Sequence, residues 1–281
     1  MMAVLGRPGG GKSMLIAHLA RTSAAMAATL GDYSSYGPAC IVTAEMAVEN
    51  YQVRELSNYL PMDSRQISDG THNNWDGVID AVRGVQTEWP TFYIGHSVMD
   101  RRRRPPMTIQ AIRQGLHYIR EEYGVVPSLL GVDYLQRLKL DGQSRDRRLE
   151  INEIVNILKD VALEFNTRVV LGVQAKREVD ERPFPIPELG DGQESSAVEQ
   201  VPEVAVSVMR PIVKFRKGEI IPQTRNNLVC SPELFFMKVL KQRSGNFGQG
   251  FWMRMQPEYA RIATLETDVY GGDDGLDEDY L

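Results

Sequence analysis

The stretch Gly6-Arg7-Pro8-Gly9-Gly10-Gly11-Lys12-Ser13 constrains this chain more than any other. It matches G-x-x-x-x-G-K-[ST] in full, follows the apolar run Ala3-Val4-Leu5, and opens a helix through Met14, Leu15 and Leu19. A strand before and a helix after are what this loop requires. Its glycines let the backbone curl around phosphates with N–H groups pointing inward, and the helix N-terminus adds its positive end. Lys12 then reaches the β- and γ-phosphates, Ser13 holds Mg²⁺, and Met14 begins the helix beneath them. The competing description is a Gly/Pro turn that happens to carry a lysine, and the flanking strand and helix count against it. A nucleoside triphosphate, ATP first, is the expected ligand.

A parallel α/β sheet is the fold in which such a loop sits, and the rest of the chain supplies its strands. Ala39–Val42, Leu129–Val132 and Arg168–Val173 are short, apolar, β-branched runs of the kind a doubly covered strand needs. Each ends in a polar residue where open α/β sheets place their chemistry. The first leads to Glu45, which either activates water or is a solvated helix-start acid. The second ends at Asp133, a Walker B position that binds Mg²⁺ through its water shell. The third ends at Gln174, which either senses the γ-phosphate or merely begins a loop.

Helices are expected over Lys12–Ala28, Val48–Leu60, Trp75–Val85, Thr108–Tyr123 and Leu149–Phe165, the last with Ile151, Ile154, Leu158, Val161 and Phe165 on one face. Thr91–Ile94, Val204–Met209 and Phe235–Leu240 read as further strands, followed by a hairpin of Phe251–Met255 and Ala260–Ala263. Lys176–Ser196 and Arg210–Pro232 lack periodicity; stretches of that length usually serve a function. Arg101–Arg104 is either a nucleic-acid contact or a solvated helix entrance.

With 42% hydrophobic residues the chain has ample material for a core. Cys40 and Cys230 are far apart and lack C-x-x-C partners, which excludes a disulfide framework and a zinc site. The apolar runs are too short for a membrane span, and no basic-then-apolar leader precedes the loop. The cytoplasm is the expected location. The net charge is −5, but seven acids from Glu266 to Asp279 leave +2 on the remainder. The acidic end is either a disordered solubilising tail or a segment that docks on a partner.

Six blocks together resemble one family: Gly6–Ser13; Thr43-Ala44-Glu45-Met46; Val132-Asp133-Tyr134-Leu135-Gln136 with Leu149-Glu150-Ile151; Gly172-Val173-Gln174; Glu194-Ser195 with Val198-Glu199-Gln200; and Lys241-Gln242-Arg243-Ser244-Gly245. In this order they are similar to the C-terminal RecA-like motor of DnaB-like hexameric replicative helicases. The resemblance implies a RecA-like P-loop NTPase, a mostly parallel sheet flanked by helices with an antiparallel hairpin at its C-terminal edge. It divides the chain into a motor over 1–264 and an acidic tail over 265–281. It implies an ATP-driven, ring-forming helicase that moves 5′ to 3′ on single-stranded DNA during replication, with ATP and Mg²⁺ as cofactors.

Under the resemblance Glu45 orients the attacking water and Gln174 senses the γ-phosphate. Lys241 and Arg243 reach a neighbouring subunit's nucleotide, and Gln193, Glu194, Ser195 and Ser196 hold DNA phosphates. Partners so implied are single-stranded DNA, further copies of the chain as a hexamer, and a primase, polymerase or helicase loader. Two departures are visible. Gln193 stands where the family commonly has arginine, and only Met1–Leu5 precede the loop where the family carries a helical collar and linker helix. Other readings are a recombinase-like or clock-protein-like ATPase that does not unwind DNA, and a nucleotide-dependent regulatory protein.

Overall fold

The computed structural model describes residues 1–30, 37–99, 105–142, 146–193, 196–224 and 227–265. Arg101–Arg104, Glu194, Ser195 and the acidic run from Glu266 lie outside the described residues.

In chain order the strands are β1 (Met2–Gly6), β2 (Ala39–Thr43), β3 (Thr91–Gly95), β4 (Met107–Thr108), β5 (Leu129–Asp133), β6 (Leu138–Lys139), β7 (Arg168–Gln174), β8 (Val204–Met209), β9 (Leu234–Gln242), β10 (Gly250–Gln256) and β11 (Arg261–Thr264). Nine form one sheet in the order β11-β10-β9-β8-β1-β7-β5-β2-β3. The six from β8 to β3 run parallel. The three from β9 to β11 extend the sheet antiparallel, as a hairpin-like C-terminal edge. Strands β4 and β6 make a separate two-stranded ladder that the sequence reading missed.

Alternation along the parallel strands divides the interior in two. Leu5, Val42, Val132 and Leu171 face α5 (Ile109–Tyr123) and α6 (Arg147–Glu164). Val4, Ile41, Val170 and Val206 face α1 (Lys12–Leu30). Both faces being covered, these strands read as apolar throughout. Gly131 and Gly172 let α1 lie close to the sheet: a Cβ there would come within 2.6 Å and 3.0 Å of Ile16.

Helices α1, α5 and α6 fall within a few residues of their expected spans. All five residues named for the inner face of α6 are buried, and Asp146 caps its start by accepting from the N–H groups of Arg148 and Leu149. Helix α2 (Val48–Tyr59) buries polar residues rather than an apolar stripe: its buried residues are Tyr51, Glu55, Ser57 and Asn58. Polar partners compensate that burial. Arg21 meets Glu55 at 2.9 Å, Asn58 donates to the carbonyl of Ala260, and Ser57 donates to those of Met62 and Glu258. Helix α3 (Ser64–Asp69) was missed because it buries no side chain; it is fixed by an Asp63 N-cap and Gly70 at φ 65°. Helix α4 runs over Trp75–Glu88 and α7 over Ala197–Gln200.

The two irregular stretches meet. Phe184 and Ile186 from one, Phe215, Ile221 and Leu228 from the other, and Leu234 and Phe236 of β9 form a satellite core. The loop after β7 is therefore anchored in its middle.

Candidate functional site

Strand register gathers the site at one end of the sheet. Gly6 lies opposite Gln174, and Thr43 opposite Asp133, all at carboxyl ends of parallel strands. The loop from Gly6 to Ser13 turns there into α1. Gly10 N donates to Arg7 O at 3.0 Å, with Gly9 at φ 74° and Gly11 at φ 100°. At Gly11 a side chain has no room, since a Cβ would come 2.7 Å from the Phe235 ring. Pro8 is exposed, Ser13 is half-buried, and Met14 packs against the core under α1.

Lys12 is nearly buried, and its ammonium donates to Gly6 O at 2.8 Å and Arg7 O at 3.1 Å. Burial lowers its pKa to about 8, against the opposing pull of Asp133 and Glu45. A desolvated cation whose hydrogen-bond partners among the described residues are its own loop's carbonyls is poised for an anion carrying oxygens. The first N–H groups of α1 likewise lack partners within their helix.

Asp133 is 1% exposed. Its Oδ2 accepts from the Tyr51 hydroxyl at 2.6 Å, while Oδ1 is buried with no partner among the described residues. That orphaned oxygen and the Ser13 hydroxyl fit a hydrated divalent cation. Among the described residues no cluster of three or more His, Cys, Asp or Glu could hold a metal by itself. A site of one carboxylate and one hydroxyl suits Mg²⁺, which usually completes its octahedron with waters and phosphates.

Glu45 is exposed beyond β2, with Arg137 at 3.8 Å. Its turn is fixed: Ala44 N donates to Asp133 O, Thr43 Oγ1 to Met46 O, and Val48 N to His96 O. Gln174 ends β7 and is tied to Gln193 through Gln136, whose Oε1 accepts from Gln174 N at 3.0 Å and whose Nε2 donates to Gln193 O at 3.1 Å. Arg7 grips Asp180 with a fork at 2.7–2.9 Å and donates to Ala175 O, so the phosphate loop and the loop after β7 are joined.

Ser196 is exposed at the start of α7. Lys241 and Arg243 are not gathered with these groups. Lys241 pairs with Ala205 on β8, and Ala205 with Ala3 on β1, so both cations lie at the opposite end of the sheet from Gly6. At about 3.3 Å per residue, Arg243 is roughly 17 Å from the phosphate loop along the strands, farther than an arginine side chain extends. Lys241 donates to the carbonyls of Glu199 and Gln200 at the end of α7, and Arg243 is exposed.

Sequence reasoning gave no role to Tyr51, Gln136, Arg137 or Asp180. Gln136 lies within one of the family blocks and was within reach; Tyr51 lies inside an expected helix with nothing to mark it.

A triphosphate-loop fold with a strand-end aspartate and a strand-end glutamine on a mostly parallel sheet is a RecA-type nucleotide-binding domain. The family model for the DnaB-like helicase C terminal domain matches residues 1–264, and the chain belongs to that family. Relatives include the replicative DNA helicase DnaB of Pasteurella multocida, 26% identical over 84% of this chain and 49% of that protein. The DnaB of Rickettsia bellii is 24% identical over 95% and 54%. The chain thus spans about half the length of the curated relatives it matches. Among solved structures, a DnaB-like replicative helicase described with its interactions with primase superposes at a TM-score of 0.74 and 18% identity, over 95% of this chain and 57% of that one. A second solved structure, described as an ATPase domain, superposes at 0.71 and 18%, over 94% of this chain and 84% of that one.

Proposed function

We propose that this chain is the motor of an ATP-dependent replicative DNA helicase, with residues 1–264 as the motor and the acidic run from residue 265 as an appendage. Family membership supports nucleotide use, and the convergence of Lys12, Ser13, Asp133, Glu45 and Gln174 supports hydrolysis at that place. Lys12 and the loop N–H groups hold the β- and γ-phosphates. Ser13 and Asp133 hold Mg²⁺, which when bound neutralises charge developing on the phosphate oxygens. Glu45 orients the attacking water, and Gln174 reads the γ-phosphate.

The observation that carries the assembly is the position of Lys241 and Arg243 at the far end of the sheet from their own loop. They serve the next subunit's nucleotide, so the site is complete only between copies, in a ring of six by family analogy. Arginine supplied in trans to a phosphoryl-transfer site is worth ~10³–10⁵ in rate. Gln193 to Ser196 then contact single-stranded DNA phosphates, and movement is 5′ to 3′. Primase, polymerase or a loader are the expected protein partners in a bacterial or phage-infected cytoplasm. No helix of the described residues is long and apolar enough to cross a membrane.

Mixing subunits tests the assignment. Arg243→Ala and Glu45→Gln preparations are each inactive alone, and a 1:1 mixture regains ATP turnover at up to about a quarter of its interfaces. No recovery at any ratio refutes the shared site. Strand separation on a fork with a free 5′ tail distinguishes a helicase from an ATPase that only assembles on DNA.

A further inference from the structure

Tyr51 reaches the nucleotide site from α2, an element that carries none of the phosphate-binding groups. It has no exposed surface, and its hydroxyl is 2.6 Å from Asp133 Oδ2. That hydroxyl therefore touches the carboxylate assigned to the metal, while Asp133 Oδ1 stays buried and unpartnered among the described residues. A buried phenol needs only some acceptor. Here it takes the acceptor whose rotation decides which carboxylate oxygen faces the phosphates. A buried carboxylate oxygen left without a donor costs free energy, and the water shell of a cation supplies donors.

We propose that Tyr51 is a positioning residue for the divalent metal: by donating to Asp133 Oδ2 it turns Oδ1 toward the metal's waters. The role rests on the Mg²⁺–ATP reading given above. Tyr51 acts through Asp133 and is given no direct part in holding the nucleotide. Partners of this kind, one step behind a metal ligand, typically alter metal affinity about 10–100-fold when removed.

Tyr51→Phe deletes the hydroxyl and keeps the ring between Tyr93 and Arg54, at 6.4 Å and 5.8 Å. Binding of a fluorescent non-hydrolysable ATP analogue is followed while Mg²⁺ is titrated from zero. The expected result is a Mg²⁺ midpoint raised about 10–100-fold in the variant, with metal-free affinity unchanged. An unchanged midpoint, beside a wild type that responds normally to Mg²⁺, overturns the role of Tyr51 alone. Loss of metal-free affinity as well also overturns it, since a merely structural residue behaves that way. In an Asp133→Asn background, Tyr51→Phe should add no further shift; an additive shift refutes action through Asp133. A wild type whose analogue binding ignores both Mg²⁺ and Lys12→Ala removes the nucleotide reading itself, and the inference with it.

Discussion

Gln136 holds Gln193 by its side-chain amide, Nε2 donating to the Gln193 carbonyl at 3.1 Å while Oε1 accepts from Gln174 N at 3.0 Å. The carboxyl end of β7, proposed above to read the γ-phosphate, and the start of the segment proposed to contact DNA thus share one side chain. Replacing Gln136 with Ala leaves two backbone groups to find other partners, a cost of ~1–3 kcal/mol. The expected outcome is selective. DNA stimulation of ATP turnover falls about fivefold more than DNA-free turnover, on the order of 1 kcal/mol of lost coupling. Steady-state hydrolysis with and without single-stranded DNA reads the ratio, and an unchanged ratio refutes the link.

With Lys12 as the proposed phosphate ligand, nucleotide binding is expected to depend on pH. Burial holds its pKa at about 8 in the nucleotide-free site, and the phosphates bind the charged form. Affinity should therefore be about tenfold weaker at pH 9 than at pH 7. Stability of the nucleotide-free protein moves the other way. Between pH 8 and 10.5 the unfolded chain retains a proton that the folded lysine has lost, so stability rises with pH there, by up to ~3 kcal/mol. Thermal unfolding of wild type against Lys12→Met across that window isolates the contribution; a constant difference between them contradicts it.

Gly11 tests the loop itself. At φ 100°, with a Cβ that would fall 2.7 Å from Phe235 and 2.9 Å from Met255, Ala at this position must displace either the loop or the core beneath it. Gly11→Ala should cost ~1–3 kcal/mol in chemical unfolding and weaken ATP-analogue binding about tenfold or more. Wild-type affinity in this variant would show that the loop's curvature is not what binds the phosphates.

Much of this architecture is written in the residues, for identifiable reasons. Strands covered on both faces are apolar without interruption, so Ala39–Val42 and Leu129–Val132 stood out, and the loop at Gly6–Ser13 located the end of the sheet that matters. The inner face of α6 followed from spacing because its partners are also apolar. Spacing failed on α2, where Glu55, Ser57 and Asn58 are buried against charges and carbonyls from distant segments. Polarity alone cannot reveal a partner that stands 201 or 202 residues further along the chain. Tyr51 and Gln136 were missed for the same reason, each being defined by what it touches.

The buried pair of Arg21 and Glu55 ties α1, α2 and the C-terminal hairpin together. Arg21 Nη1 meets Glu55 Oε2 at 2.9 Å, Nη2 donates to Ala260 O at 3.2 Å, and the guanidinium lies 5.5 Å from the Trp89 ring. Burial raises the Glu55 pKa, with Arg21 pulling it back, and Glu55 Oε1 has no partner among the described residues. Removing the arginine strands a carboxylate in the core, which typically costs about 3–5 kcal/mol. Arg21→Met should therefore destabilise by about that amount, whereas Arg21→Met with Glu55→Leu should recover most of the loss, because two apolar residues of similar volume replace two desolvated charges. Denaturant unfolding of both variants decides it. A double variant as unstable as the single one would mean that the bond to Ala260 O, rather than the charge on Glu55, is what the hairpin needs from Arg21.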